Sequence, residues 1–167
     1  MRVFRSALIL IGFSALTACG FKPMHAPGAF TNGTGYNYSD ISVATTSEEK
    51  IDFLLKQSLR DRIGENHSTK YRLDISPKIR RRSLGISDDD VASRYDLAMT
   101  AQFELVDNKS GKAVFKDSVR AVSTFAAPRD PYGRISAENN ATEQVASETA
   151  DRIVIRLARY FESVESE

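Results

Sequence analysis

Apolar and polar residues alternate along YRLDISPKI. Tyr71, Leu73, Ile75 and Ile79 are apolar, whereas Arg72, Asp74, Lys78 and Arg80 are polar. This spacing predicts a strand with one buried and one wet face. Pro77 lacks an amide donor, which places the strand on a sheet edge or at a bulge. RYDLAMTAQFELVD alternates more cleanly, with Tyr95, Leu97, Met99, Ala101, Phe103 and Leu105 against Arg94, Asp96, Thr100, Gln102 and Glu104, and is expected to lie centrally. After the turn DNKSG, a third strand keeps the parity through Ala113, Phe115, Val119 and Ala121. Asp117 interrupts it, which predicts a bulge or register change there.

Two segments have helical period instead. Ile51, Leu54, Leu55, Leu59 and Ile63 share one face, and Gly64 follows, so a helix is predicted over about 47–63. Thr46 and Glu49 have the spacing of a capping box. Near the C-terminus, Val145, Ala146, Ala150, Ile153, Val154, Leu157 and Phe161 form the stripe of a helix of about 26 residues. Its expected cap is Ser136, after the loop APRDPYGRIS. A short alternation at Ile41 and Val43 adds a first strand. The sum is an α+β two-layer sandwich of order β-α-β-β-β-α, with two helices on one face of a four-stranded sheet. The other sheet face should be polar and free to meet a ligand or partner.

The N-terminus follows neither period. Arg2 and Arg5 precede the apolar run Ala7–Leu16, and the small residues Thr17 and Ala18 precede Cys19, the chain's single cysteine. That is the plan of a secretory signal over 1–18, and its apolar run is well short of the ~20 residues that span a bilayer. Leu16-Thr17-Ala18-Cys19 resembles the lipobox of bacterial lipoproteins. The resemblance implies that the Cys19 thiol carries diacylglycerol, and that cleavage leaves an amine acylated by a fatty acid such as palmitate. Two or more acyl chains would make a durable anchor. Residues 19–39, rich in Gly, Pro, Asn and Thr, read as a lipidated tether. A single domain is expected over 40–162, and a polar tail over 163–167.

Charge narrows the classes of function. The chain has 23 basic and 22 acidic residues, so no bulk field recruits nucleic acid, and an exported chain without an aromatic ladder makes that partner a poor fit. His25 and His67 are the only histidines, and neither stands in a pattern that would build a triad or a metal site. Ser87-Asp88-Asp89-Asp90 lacks the ligand alternation of a calcium loop and reads as a solvated turn. No cofactor motif is present. The exception to the even charge is Lys78, Arg80, Arg81 and Arg82, with Arg94 across the following loop. Arginine forks suit phosphate and carboxylate groups, although charge on a strand can equally guard an exposed edge.

CGFKP after the lipobox, RYDLAMTAQFELVDNKSGKAVF, the loop PRDPYG, and a long C-terminal helix opening with SAENNA together resemble the LptE family of lipopolysaccharide-assembly lipoproteins, in its alphaproteobacterial form. Met24-His25 stands where relatives commonly have Leu-Tyr. The resemblance implies a non-enzymatic protein, lipid-anchored on the periplasmic side of the outer membrane. It would plug the LptD-type β-barrel and bind lipopolysaccharide on its way to the cell surface. Lys78, Arg80, Arg81, Arg82 and Arg94 are the expected lipopolysaccharide contacts. The competing expectation is an envelope lipoprotein that binds another glycolipid or polymer without a barrel.

Overall fold

The computed structural model describes residues 40–47, 49–64, 69–86 and 92–165. The signal, Cys19, the tether, both histidines and the 87–90 turn lie outside the described residues. The elements are β1 (Ile41–Thr45), α1 (Lys50–Ile63), β2 (Tyr71–Ile86), β3 (Ala92–Asp107), β4 (Ala113–Ala126) and α2 (Pro131–Glu165). The sheet order is β1-β2-β3-β4, with β1 parallel to β2 and the other pairs antiparallel. β3 therefore lies between two strands over its length, as its clean alternation predicts.

The parity of the strands decides the layering. Leu73, Ile75, Leu97, Met99, Ala101, Phe103, Leu105, Val119, Ala121 and Phe125 are all buried and all odd-numbered. They meet Leu55, Leu59 and Ile63 of α1 and Val145, Ala146, Ala150, Ile153, Leu157 and Phe161 of α2 in one core. Both helices thus cover the same sheet face, and the even-numbered face stays open. Burying each large side chain is worth about 1.5–3 kcal/mol, which makes this shared core the principal source of stability. Arg62 adds a polar tie between the helices. Its Nε and Nη2 donate to Asp151 Oδ1 and Oδ2 at 2.6 and 3.0 Å, Nη2 also reaches Ser147 Oγ, and Nη1 donates to the Ser58 carbonyl.

Local details differ from the expectations, each for a physical reason. α1 begins at Lys50, and its N-cap residue Glu49 makes no side-chain capping bond. Thr46 Oγ1 donates instead to the Ile75 carbonyl. Ser47 Oγ donates at 2.7 Å to Asp52, a buried carboxylate in the first helical turn, where the helix dipole favours negative charge. α2 starts five residues before Ser136, because Asp130 Oδ2 accepts the Gly133 amide at 2.6 Å and Pro131 suits the first helical position. It also continues through Glu165, past the expected start of the tail. Asp117 causes no bulge: it stays in register opposite Phe103, and its helix-side carboxylate lies 3.5 Å from Arg156. The shift falls between Leu105 and Val106 instead, at the hairpin end. In that hairpin, the Ser110 amide bonded to Asp107 holds the carboxylate below its ordinary pKa.

Pro77 marks the point where β2 changes from an interior to an edge strand. Lys70 directs its carbonyl to Asn108 beyond the end of β3, and Ile75 directs its carbonyl to Thr46 beyond the end of β1. Since a strand residue points both backbone groups to one side, even residues of β2 face β3 and odd residues face β1. The amide missing at Pro77 is therefore one that β3 never needed. β1 pairs only from Ile41↔Tyr71 to Thr45↔Ile75, and past Pro77 that side of β2 is a sheet edge. Ile79 follows the buried parity but is 38% exposed, since it lies beyond the end of β1.

Candidate anion-binding site

The open sheet face carries two charge environments along its length. Near the β3–β4 hairpin, Arg72 pairs with Asp74 at 2.7 Å and Lys116 with Glu104 at 2.9 Å. The hydrogen bond and charge of Asp74 raise the Arg72 pKa. These pairs border a groove of about 460 Å³ that also contains Gln102 and Ser118. Its basic groups are already neutralised by neighbouring carboxylates, so it has little to offer an anion.

Towards the other end of the strands the balance reverses. A concavity of about 630 Å³ is lined by Lys78, Arg80, Arg81, Arg82, Asp96, Ala98, Thr100 and Arg120. The sheet register assembles it in rows. Lys78, Thr100 and Arg120 lie side by side on three strands, then Arg80, Ala98 and Val122, then Arg82, Asp96 and Thr124. Lys78 and Arg120 thus stand two strand spacings apart, about 10 Å, on either side of the short Thr100 side chain. Small residues in the central strand leave the floor low beside the cations of β2, with Arg120 facing them from β4.

The register separates the expected contacts. Lys78 and Arg80 point to the open face, exposed, with no ion-pair partner among the described residues. Arg82 shares that face but lies 3.5 Å from Asp96, whose other oxygen accepts Thr124 Oγ1. Arg81 is odd and belongs to the helix side, where it meets Glu138 of α2 at 3.2 Å and covers the Tyr95 ring at 5.1 Å. Arg94 is exposed at the end of β3, opposite Gly85 and Ala126, outside the residues that line the concavity. The residue that sequence reasoning missed is Arg120. Its polar parity in β4 was readable, but its row was not, because the register shift beside Val106 offsets any count made from the turn.

Among the described residues, no three His, Cys, Asp or Glu side chains converge as a metal site would require. No described helix is long and apolar enough to cross a membrane. What the arrangement can do is hold an anion by forked and point-charge donors without displacing a carboxylate.

A family model described as LptE, lipopolysaccharide-assembly, matches residues 38–157, most of the chain. The chain belongs to the LptE family. LptE membership is accompanied by structural likeness. A candidate lipoprotein from Caulobacter crescentus is 28% identical, with a TM-score of 0.65 over 76% of this chain and 93% of that one. Rare lipoprotein B from Shewanella oneidensis is 15% identical, with a TM-score of 0.58 over 75% and 98%. A minor lipoprotein from Acinetobacter baumannii, also 15% identical, gives 0.56 over 74% and 92%. At such identities the last two speak for the fold, a mixed four-stranded sheet with two helices on one side. No curated protein matches the chain.

Proposed function

We propose that this LptE-family protein is a non-enzymatic outer-membrane lipoprotein that binds lipopolysaccharide on its open sheet face and assembles with an LptD-type β-barrel. The observation that carries the reading is the trio Lys78, Arg80 and Arg120: exposed cations without acidic partners among the described residues, gathered on the one sheet face that the helices leave uncovered. Phosphate and carboxylate groups of lipopolysaccharide suit such donors. Arg82 joins them if an incoming anion displaces Asp96. Arg94 can contribute at the rim. Arg81, held by Glu138, serves chiefly to fix the strand to α2.

The character of the surface supports the barrel as partner. The open face and the solvent sides of both helices are mainly charged or polar, interrupted by exposed Phe53 on α1, Ile135 on α2 and Val122 on the open face, and the lumen of a large transmembrane barrel is polar. Acyl chains on Cys19, after removal of residues 1–18, would hold this body on the periplasmic side of the membrane through the 19–39 tether. Isolation of the full chain in mild detergent tests the assembly. The expected result is copurification with a β-barrel protein at near one-to-one stoichiometry. Recovery without any barrel, but with bound glycolipid, would favour an envelope lipoprotein that works without one.

A further inference from the structure

The two edges of the sheet are treated differently. In β4, the outward-facing backbone is partly occupied: the Ser118 amide donates to Asp117 Oδ1 at 2.7 Å, and the Arg120 carbonyl accepts Arg152 Nη1 at 2.8 Å. Such local capping blunts an edge against further pairing. The opposite edge begins where β1 stops. By the alternation established at Lys70 and Ile75, the amides and carbonyls of Ile79, Arg81 and Ser83 face away from β3. Among the described residues none of these groups has a hydrogen-bond partner. The free run from Pro77 to Ser83 is about 23 Å long at 3.3 Å per residue, enough for a short added strand.

We infer that this edge of β2 accepts an extended polypeptide segment in which acidic and apolar residues alternate. The side chains beside the edge set that preference. On the open face an added strand would meet Lys78, Arg80 and Arg82, and on the helix side it would meet partly exposed Ile79 and then Arg81, whose charge Glu138 already engages. Cross-strand neighbours of opposite charge stabilise a pair, whereas like charges oppose it. A second copy of this chain adding through the same edge would set lysine and arginines against their equivalents, so the charge pattern selects an acidic partner over self-association. Main-chain bonds would supply affinity, and the alternating side chains would supply selection. The pairing groups are backbone groups in the plane of the sheet, distinct from the face, although Lys78, Arg80 and Arg82 border both surfaces.

The test is amide hydrogen exchange on the full chain, with a blocked heptapeptide alternating glutamate and valine. The peptide is expected to slow exchange at Ile79, Arg81 and Ser83 by about tenfold, the equivalent of roughly one net hydrogen bond each. Lys78 and Arg80, whose amides already face β3, should not change. The same peptide N-methylated at every residue keeps the charges but loses its donors and sets methyl groups against the edge, which keeps its carbonyls out of reach, and is expected to give no such protection. An Ile79→Pro variant should weaken peptide binding several-fold while keeping the circular dichroism of the parent. If that variant does not fold, the comparison of the two peptides decides alone. Absence of slowing, or equal slowing by both peptides, would overturn the inference.

Discussion

Replacing Lys78, Arg80 and Arg120 together by glutamate is expected to weaken lipopolysaccharide binding by about two orders of magnitude, at roughly 1 kcal/mol for each charge-assisted hydrogen bond removed. The three side chains are exposed on the open face, so the change should leave the fold intact, as circular dichroism and a melting curve would show. Their exposure also fixes the salt response. Screening over a Debye length of about 8 Å at physiological ionic strength should make parental binding fall as salt rises, and the variant should lose most of that slope. The informative control is Arg81→Gln. Arg81 belongs to the same basic run but lies on the helix side against Glu138 and Tyr95, so this change should leave binding within about twofold and instead cost up to about 1 kcal/mol of stability. If Arg81→Gln proved as damaging to binding as the triple reversal, simple proximity in sequence rather than the face of the sheet would govern the site.

The second large effect concerns location. A Cys19→Ala variant has no thiol to acylate, and since two or more buried chains are what hold a lipidated protein stably, the protein should move from the membrane fraction to the soluble periplasmic fraction. Fractionation in cells depleted of the proposed barrel partner isolates this effect, because a barrel-bound body could stay with the membrane without its lipid. Retention of the variant in that background would mean that something other than Cys19 anchors the chain. Intact mass of the parental protein provides the direct check on the modification.

The elements whose alternation or helical stripe is unbroken were legible in the residues. β3 reads as central because every odd position from Tyr95 to Leu105 is apolar, and α2 reads as one-sided from Val145 to Phe161. Features governed by single polar contacts were not. Thr46 and Glu49 fit a capping box, yet Thr46 is drawn to the Ile75 carbonyl of β2, and Ser47 serves the buried Asp52. Ser136 is a good cap in sequence, but Asp130 with Pro131 offers the helix an earlier start. Asp117 has the character of a strand break in sequence because its partner, Arg156, lies far along the chain on α2.

The site was half legible for a related reason. Period two identifies which face each residue of KIRRR occupies, so Lys78, Arg80 and Arg82 separate from Arg81 once the strand is seen to run through Ile86. Which residues stand beside them is a matter of register. The one-residue offset near Val106 brings Arg120 level with Thr100 and Lys78, and no local pattern announces that. Ionic state followed the same logic. Arg72, Arg82 and Lys116 are neutralised by Asp74, Asp96 and Glu104, and only the assembled sheet shows which cations remain available.

The central claim is that the cationic end of the open face is where lipopolysaccharide sits. A photo-crosslinking amino acid at Thr100, on the floor between Lys78 and Arg120, examines it in living cells, with the same group at Asp74 on the charge-paired end as the comparison. The account predicts lipopolysaccharide adducts from Thr100 and few or none from Asp74. Equal adducts from both positions, or adducts from Asp74 alone, would contradict it.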